Sequence, residues 1–155
     1  MVVAEPADEL VLAYPDGPHD AETLLVEPRT LAIYIVARSR GAAALFQAMD
    51  ARPGKGVGRL ERLGTIEAPG SSAGDGEFAG GAFAPDGRRV VLRTARHAVL
   101  YRVVEPFVAS FRCAERIIEL PRVQNGESVT FRSDGKALIT TSEGESSPVH
   151  EIALE

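Results

Sequence analysis

A hairpin recurs three times along this chain, and that recurrence constrains the fold more than any other feature. Its turn reads Val26-Glu27-Pro28-Arg29 in the first copy, Phe83-Ala84-Pro85-Asp86-Gly87 in the second and Phe131-Arg132-Ser133-Asp134-Gly135 in the third. Aligning Pro28, Pro85 and Ser133 places the copies 57 and then 48 residues apart. Ile33, Val90 and Leu138 stand at the fifth position after the anchor, and Tyr34, Val91 and Ile139 at the sixth. Proline presets φ, and Asp-Gly tolerates the positive φ of a tight hairpin. Turn and apolar pattern therefore repeat together.

A spacing of this size is close to the roughly 40–50 residues of one four-stranded propeller blade. Blade one spans about 16–68, with strands predicted at Glu22–Val26, Ala32–Ala37, Ala43–Ala48 and Arg59–Glu67. Blade two spans about 77–121, with strands at Gly81–Ala84, Arg89–Arg93, Ala98–Val103 and Glu115–Leu120. Between its last two strands, Pro106, Phe107, Val108 and Phe111 suit a short helix or turn. Blade three, about 124–155, has three strands: Ser128–Phe131, Ala137–Thr141 and Pro148–Leu154. One strand is spare, Asp8–Tyr14 at the other end. The expectation is an all-β, partial β-propeller of three four-stranded blades, the last completed by the N-terminal strand, which hides a sheet edge. Propellers typically use 4–8 blades, so two chains are expected to associate head to tail as a homodimer with six blades.

Composition narrows the function classes. Hydrophobic residues make up 45% and charged residues 25%, ordinary for a soluble globular domain. A net charge of −5 argues against binding nucleic acid through a basic face. The single cysteine, Cys113, permits no intrachain disulfide. The start, MVVAEPADEL, has neither a basic n-region nor an apolar h-region, so a cytoplasmic location is expected. No apolar run approaches a membrane span. The glycine-rich loop Arg52–Gly58 lacks the order of a phosphate-binding loop, since Lys55 is followed by Gly56. No G-x-S-x-G occurs, and the three histidines have no metal-ligand spacing.

The runs YPDGPHDAETLLVEPRT (Tyr14–Thr30), GGAFAPDGRRVVLRT (Gly80–Thr94) and QNGESVTFRSDGKALITTSEGESSPVHEI (Gln124–Ile152) resemble an uncharacterised family of bacterial β-propeller proteins. In outline that family is similar to phytase-like and esterase-like propellers. Its members look longer, so this chain corresponds to their C-terminal part, and they often look exported. Where they tend to carry an Asp in the inner strand of the second blade, this chain has Ala82.

The resemblance implies that inner strands line a central channel and start at its mouth. On that basis His19, Asp20, Glu22, Gln124 and Glu127 gather at one mouth, with Arg38, Arg93 and Glu143 at second-strand ends. Glu22 and Glu127 are equivalent under the repeat, each six residues before its anchor, where blade two has Ala79. Paired carboxylates there suit Ca²⁺, which takes six to eight oxygens, or proton transfer in hydrolysis. Arg38 and Arg93 alternate with these acids, which makes mutual salt bridges the cheaper explanation. The function expected is a non-catalytic binding or interaction scaffold that self-associates to close its ring, with a small molecule as a further candidate partner at the mouth. A calcium-dependent, phytase-like or lactonase-like hydrolase is the alternative.

Overall fold

In a computed structural model, residues 7–39, 41–50, 52–69, 77–123 and 126–154 are described. They form twelve strands in three sheets and one short 3-10 helix. The first sheet contains β1 (Val11–Ala13), β2 (Ala21–Val26), β3 (Ile33–Ala37), β4 (Ala42–Met49) and β5 (Val57–Glu67). The second contains β6 (Gly80–Phe83), β7 (Arg89–Arg93), β8 (His97–Arg102) and β9 (Arg116–Glu119). The third contains β10 (Gly126–Phe131), β11 (Ala137–Ser142) and β12 (His150–Ala153). Strands β2–β5, β6–β9 and β10–β12 each form an antiparallel meander in chain order, as blades of a partial propeller require. The 3-10 helix Phe107–Arg112 lies where the sequence predicts a helix or turn.

The three hairpin turns share one frame. The residue before the anchor donates its N–H to the carbonyl five positions on: Glu27 to Ala32, Ala84 to Arg89 and Arg132 to Ala137. Gly87 (φ 68°) and Gly135 (φ 70°) take the left-handed position in the second and third turns. The first turn has Thr30 there, and the left-handed residue becomes Leu31 at φ 61°. Glu27 compensates. Its carboxylate accepts the backbone N–H of Arg29 and of Thr30, the Thr30 hydroxyl and Arg29 Nε.

The blades pack face to face through two apolar layers. Leu25, Tyr34, Val36, Leu45 and Ile66 of blade one meet Phe78, Val90, Leu92, Val99 and Tyr101 of blade two. The opposite face of blade two, with Val91, Ala98 and Leu100, meets Val129, Phe131 and Leu138. Inner strands approach most closely at β6, and Gly80 allows this: a Cβ there would stand 2.5 Å from the Glu127 carbonyl oxygen. At the head of β10, a Cβ on Gly126 would stand 1.6 Å from Arg93 Nη2.

The N-terminal strand departs from expectation. Instead of completing blade three, β1 pairs in parallel with β5, at the outer edge of blade one, with Val11 opposite Val57 and Ala13 opposite Arg59. Blade three therefore has three strands among the described residues. The physical reason is proximity. Fewer than ten residues separate β1 from β2, so closing β1 onto its own blade costs little chain entropy. Along the way the chain crosses the outward face of blade one, where Leu12 and Tyr14 cover Phe46 and Leu60. Tyr14 and His19 hold Phe46 at ring distances of 5.0 and 4.9 Å.

Two predictions follow from this packing. Gly126→Ala drives a methyl group into a buried guanidinium and lowers unfolding free energy by about 1–3 kcal/mol, readable by urea denaturation. Glu27 is held at about 2, below its ordinary 4.5, by hydrogen bonds from Thr30 and Arg29, against the opposing effect of desolvation. Its folded-state pKa is depressed, so its stabilisation is complete above pH 4.5 and vanishes as pH falls through about 2. Glu27→Gln flattens the acid limb of a stability–pH curve, although Asp134, also held at about 2, still contributes.

Candidate functional site

The mouth pocket forms where blades one and two and the head of β10 converge. It has a volume of about 190 Å³ and is lined by Glu22, Arg38, Glu77, Ala79, Ala95, Val123, Gly126 and Glu127. Glu22 comes from the start of β2, and Arg38 follows β3 on the neighbouring strand. The Arg38 backbone N–H donates to the Asp20 carbonyl at 2.6 Å, setting the side chain above the start of β2. Its guanidinium donates through Nη1 to Glu22 Oε1 at 2.6 Å and through Nε to Glu77 Oε2 at 2.7 Å. One arginine thus bridges two carboxylates, and the Glu77 arm ties blade one to the strand entry of blade two. These bonds raise the Arg38 pKa, Glu77 contributing most.

Glu127, half-buried at the start of β10, also lines the pocket. The repeat thus brings its two equivalent acids, Glu22 and Glu127, to one cavity. The sequence reading missed Glu77, which precedes a strand whose repeat-equivalent acid is replaced by Ala79. Its cue was available only as the nearest acid upstream of that strand.

Arg93 takes a different role from that expected of a mouth residue. It is fully buried at the end of β7, inside the junction of blades two and three. Nη1 donates to the carbonyls of Ser128 and Thr141, at 2.8 and 3.0 Å, and to the Thr140 hydroxyl. Nε and Nη2 have no hydrogen-bond partner. Burial pushes the pKa of Arg93 down, and the charge of Glu127 opposes that fall. The side chain pins the two blades together behind Gly126.

The remaining predicted residues disperse. His19 lies on the outward face of blade one, bonded to Asp16 at 2.7 Å and packed between Tyr14 and Phe46. Asp20 is exposed beside the mouth, contributing its backbone carbonyl. Glu143 is exposed in the β11–β12 loop, where its carbonyl accepts the Ser147 hydroxyl. Gln124 lies outside the described residues.

Ca²⁺ does not fit this donor set. The ion wants six to eight oxygens, and Glu22 is already engaged by Arg38. Among the described residues no group of three or more His, Cys, Asp or Glu is gathered to hold a metal ion.

No family model matches the sequence, and no curated protein matches it significantly. Solved structures similar to this chain in fold include the following two. One is a Bacteroides uniformis protein provisionally assigned as a 6-phosphogluconolactonase, at TM-score 0.61 and 16% identity, covering 94% of this chain and 41% of its own length. The other is the C-terminal WD40 domain of Sif2, at TM-score 0.56 and 11% identity, covering 88% of this chain and 38% of that one. The chain spans about two fifths of each neighbour's length. At these identities the likeness establishes the propeller-like fold. No helix among the described residues is long and apolar enough to cross a membrane.

The bridge around Arg38 is testable. All three side chains are partly exposed, at 41% for Arg38, 28% for Glu22 and 25% for Glu77. A double-mutant cycle on Arg38→Gln and Glu77→Gln should therefore return a coupling of only about 0.5–1 kcal/mol, shrinking with added salt.

Proposed function

We propose that this protein is a non-catalytic binding scaffold with two working parts, a ligand pocket at the propeller mouth and open end faces through which copies associate. One observation carries the reading: a single arginine engages two of the pocket's three carboxylates. Arg38 holds Glu22 and Glu77 at 2.6 and 2.7 Å. Of the routes to hydrolysis, a side-chain nucleophile needs an adjacent base, a metal needs an open position, and a carboxylate pair that activates water needs both acids free. The lining has no Ser, Cys, His or Lys to serve as a nucleophile. A small polar ligand carrying a cationic or hydrogen-bond-donating group suits the carboxylates, with Glu127 placed to receive it.

The association half of the proposal rests on exposed apolar groups at one end of the arc, Leu24 and Val26 among them. Closing a six-bladed ring from two copies is one form such association can take. It needs the blade-one face of each copy to meet the blade-three face of the other.

The second reading is a lactonase-like or phytase-like hydrolase. It draws on the provisional name of one fold neighbour and on the resemblance to a propeller family of that outline. Fold alone does not transfer chemistry.

A thermal-melt titration with Ca²⁺ and with EDTA, run beside an assay for lactone and phosphoester hydrolysis, separates the two. The scaffold reading expects an unchanged melting temperature and no turnover. A calcium-dependent rise in melting temperature that Glu22→Gln or Glu127→Gln abolishes would overturn it.

A further inference from the structure

At the turn end of the inner strands, opposite the mouth, blade two departs from its own repeat. The fourth position after each turn anchor is Ala32 in blade one and Ala137 in blade three, whereas blade two has Arg89. Arg89 pairs in register with Arg102 on β8, where blade three pairs Ala137 with Ala153. Side chains directly opposed across two strands share a face, and like charges placed so destabilise the sheet. Arg88 adds a third guanidinium beside them. The chain as a whole carries a net charge of −5, so this concentration of positive charge is local.

The three arginines line one open cavity of about 560 Å³, together with Asp86, Val103 and Glu115. Neighbouring groups hold them in place. Arg89 is half-buried, its Nη2 donates to the Gly135 carbonyl at 2.8 Å, and its guanidinium carbon stands 5.6 Å from the centre of the Phe131 ring. The Val103 N–H donates to the Arg88 carbonyl at 2.9 Å, tying the end of β8 to the turn. Both carboxylates are already engaged: Asp86 Oδ1 accepts the Arg88 backbone N–H at 2.9 Å, and Glu115 Oε1 accepts Arg102 Nη2 at 3.1 Å. The Arg88 side chain has no hydrogen-bond or ion-pair partner among the described residues. Arg89 makes one hydrogen bond within the protein and keeps the rest of its N–H donors. Its clasp on Gly135 accounts for Arg89, but for neither Arg88 nor Arg102.

We infer that this cavity binds an oxyanion of a small molecule, a phosphate, sulfate or carboxylate group, held by Arg88 and Arg89 with Arg102 beside them. A guanidinium fork matches two oxygens of such a group. The bound anion also offsets the repulsion between Arg89 and Arg102. Three arginines against two carboxylates favour a negative ligand, the reverse of the mouth, where the carboxylates suit a cationic group. The two sites lie at opposite ends of β7, so failure of this one leaves the reading of the mouth in place.

Nuclear magnetic resonance tests the site. Inorganic phosphate is titrated into isotope-labelled protein at constant ionic strength, to about 20 mM, well past millimolar affinity. Saturable shifts should gather at the backbone amides of Arg88, Arg89, Arg102 and Val103. Arg88→Gln, at an exposed position, should weaken the fitted affinity about fivefold or more through loss of charge-assisted hydrogen bonding, with the urea midpoint unchanged. Arg59→Gln, which removes the same charge from blade one, should leave the affinity as it was.

Titrations with sulfate and with succinate separate the ligand chemistries. Saturation by phosphate and sulfate alone identifies a tetrahedral group, and saturation by succinate identifies a carboxylate; either supports the site. The inference is overturned if none of the three anions gives saturable shifts, or if chloride reproduces them at matched ionic strength. It is equally overturned if Arg88→Gln binds like the unaltered chain, or if Arg59→Gln weakens binding as much.

Discussion

Everything in this structure depends on blade two having two apolar faces. A strand alternates its side chains between faces, and β7, reading Arg-Val-Val-Leu-Arg, is buried on both: Val90 and Leu92 face blade one, and Val91 faces blade three. Blades one and three each bury one face against it. The middle sheet is therefore the core, and the outer sheets are held by it. Close packing of the inner strands requires small residues at the contact, so β6 opens with Gly80-Gly81, where any Cβ would strike the Glu127 carbonyl or the Leu25 and Leu92 side chains.

The two interfaces are held by different polar devices above that shared apolar layer. Between blades one and two the device is at the surface, where Arg38 reaches Glu77. Water competes for these partly exposed groups, so the bridge orients more than it stabilises. Between blades two and three the device is internal. Arg93 donates through one nitrogen to three acceptors and leaves Nε and Nη2 unpaired. Leaving buried donors unpaired carries a desolvation cost, partly offset here by the favourable charge of Glu127. A second link, Arg89 Nη2 to the Gly135 carbonyl at 2.8 Å, lies at the opposite end of the same interface. The blade two–blade three junction is thus clasped at both ends. Glu22, Arg38, Glu77 and Glu127 are brought to one cavity because both junctions converge on the heads of the inner strands.

Much of the arrangement was legible from the chain. The turns at Pro28, Pro85 and Ser133, the strand order within each blade and the brief helical turn after Pro106 all follow from local signals, since turn geometry and side-chain alternation act over a few residues. That Glu22 and Glu127 line one cavity agrees with an expectation drawn from the family resemblance together with their equivalence under the repeat. The place of Arg93 was not legible. An arginine at a strand end reads as exposed, and only the approach of β10 with Gly126 above it turns that position into an interior. Glu77 escaped because it lies outside the repeat frame. His19 was drawn elsewhere because Tyr14 and Phe46 offered its ring an apolar bed.

By itself, the sequence determined how many hairpins form, where each turns and which residues each blade presents to its neighbours. Hydrogen bonding between adjacent strands and the two-residue period are local, so they are written in local residues. Only the tertiary structure decided which edge the N-terminal strand joins, since an isolated strand carries no mark of its partner and the short connection to β2 favours its own blade. It alone decided, too, which side chains each end of the arc leaves exposed, Leu24 and Val26 at one and Ser128, Thr130 and Val149 at the other. Which faces remain open depends on what packs against them, a property of the assembled sheets and of no single segment.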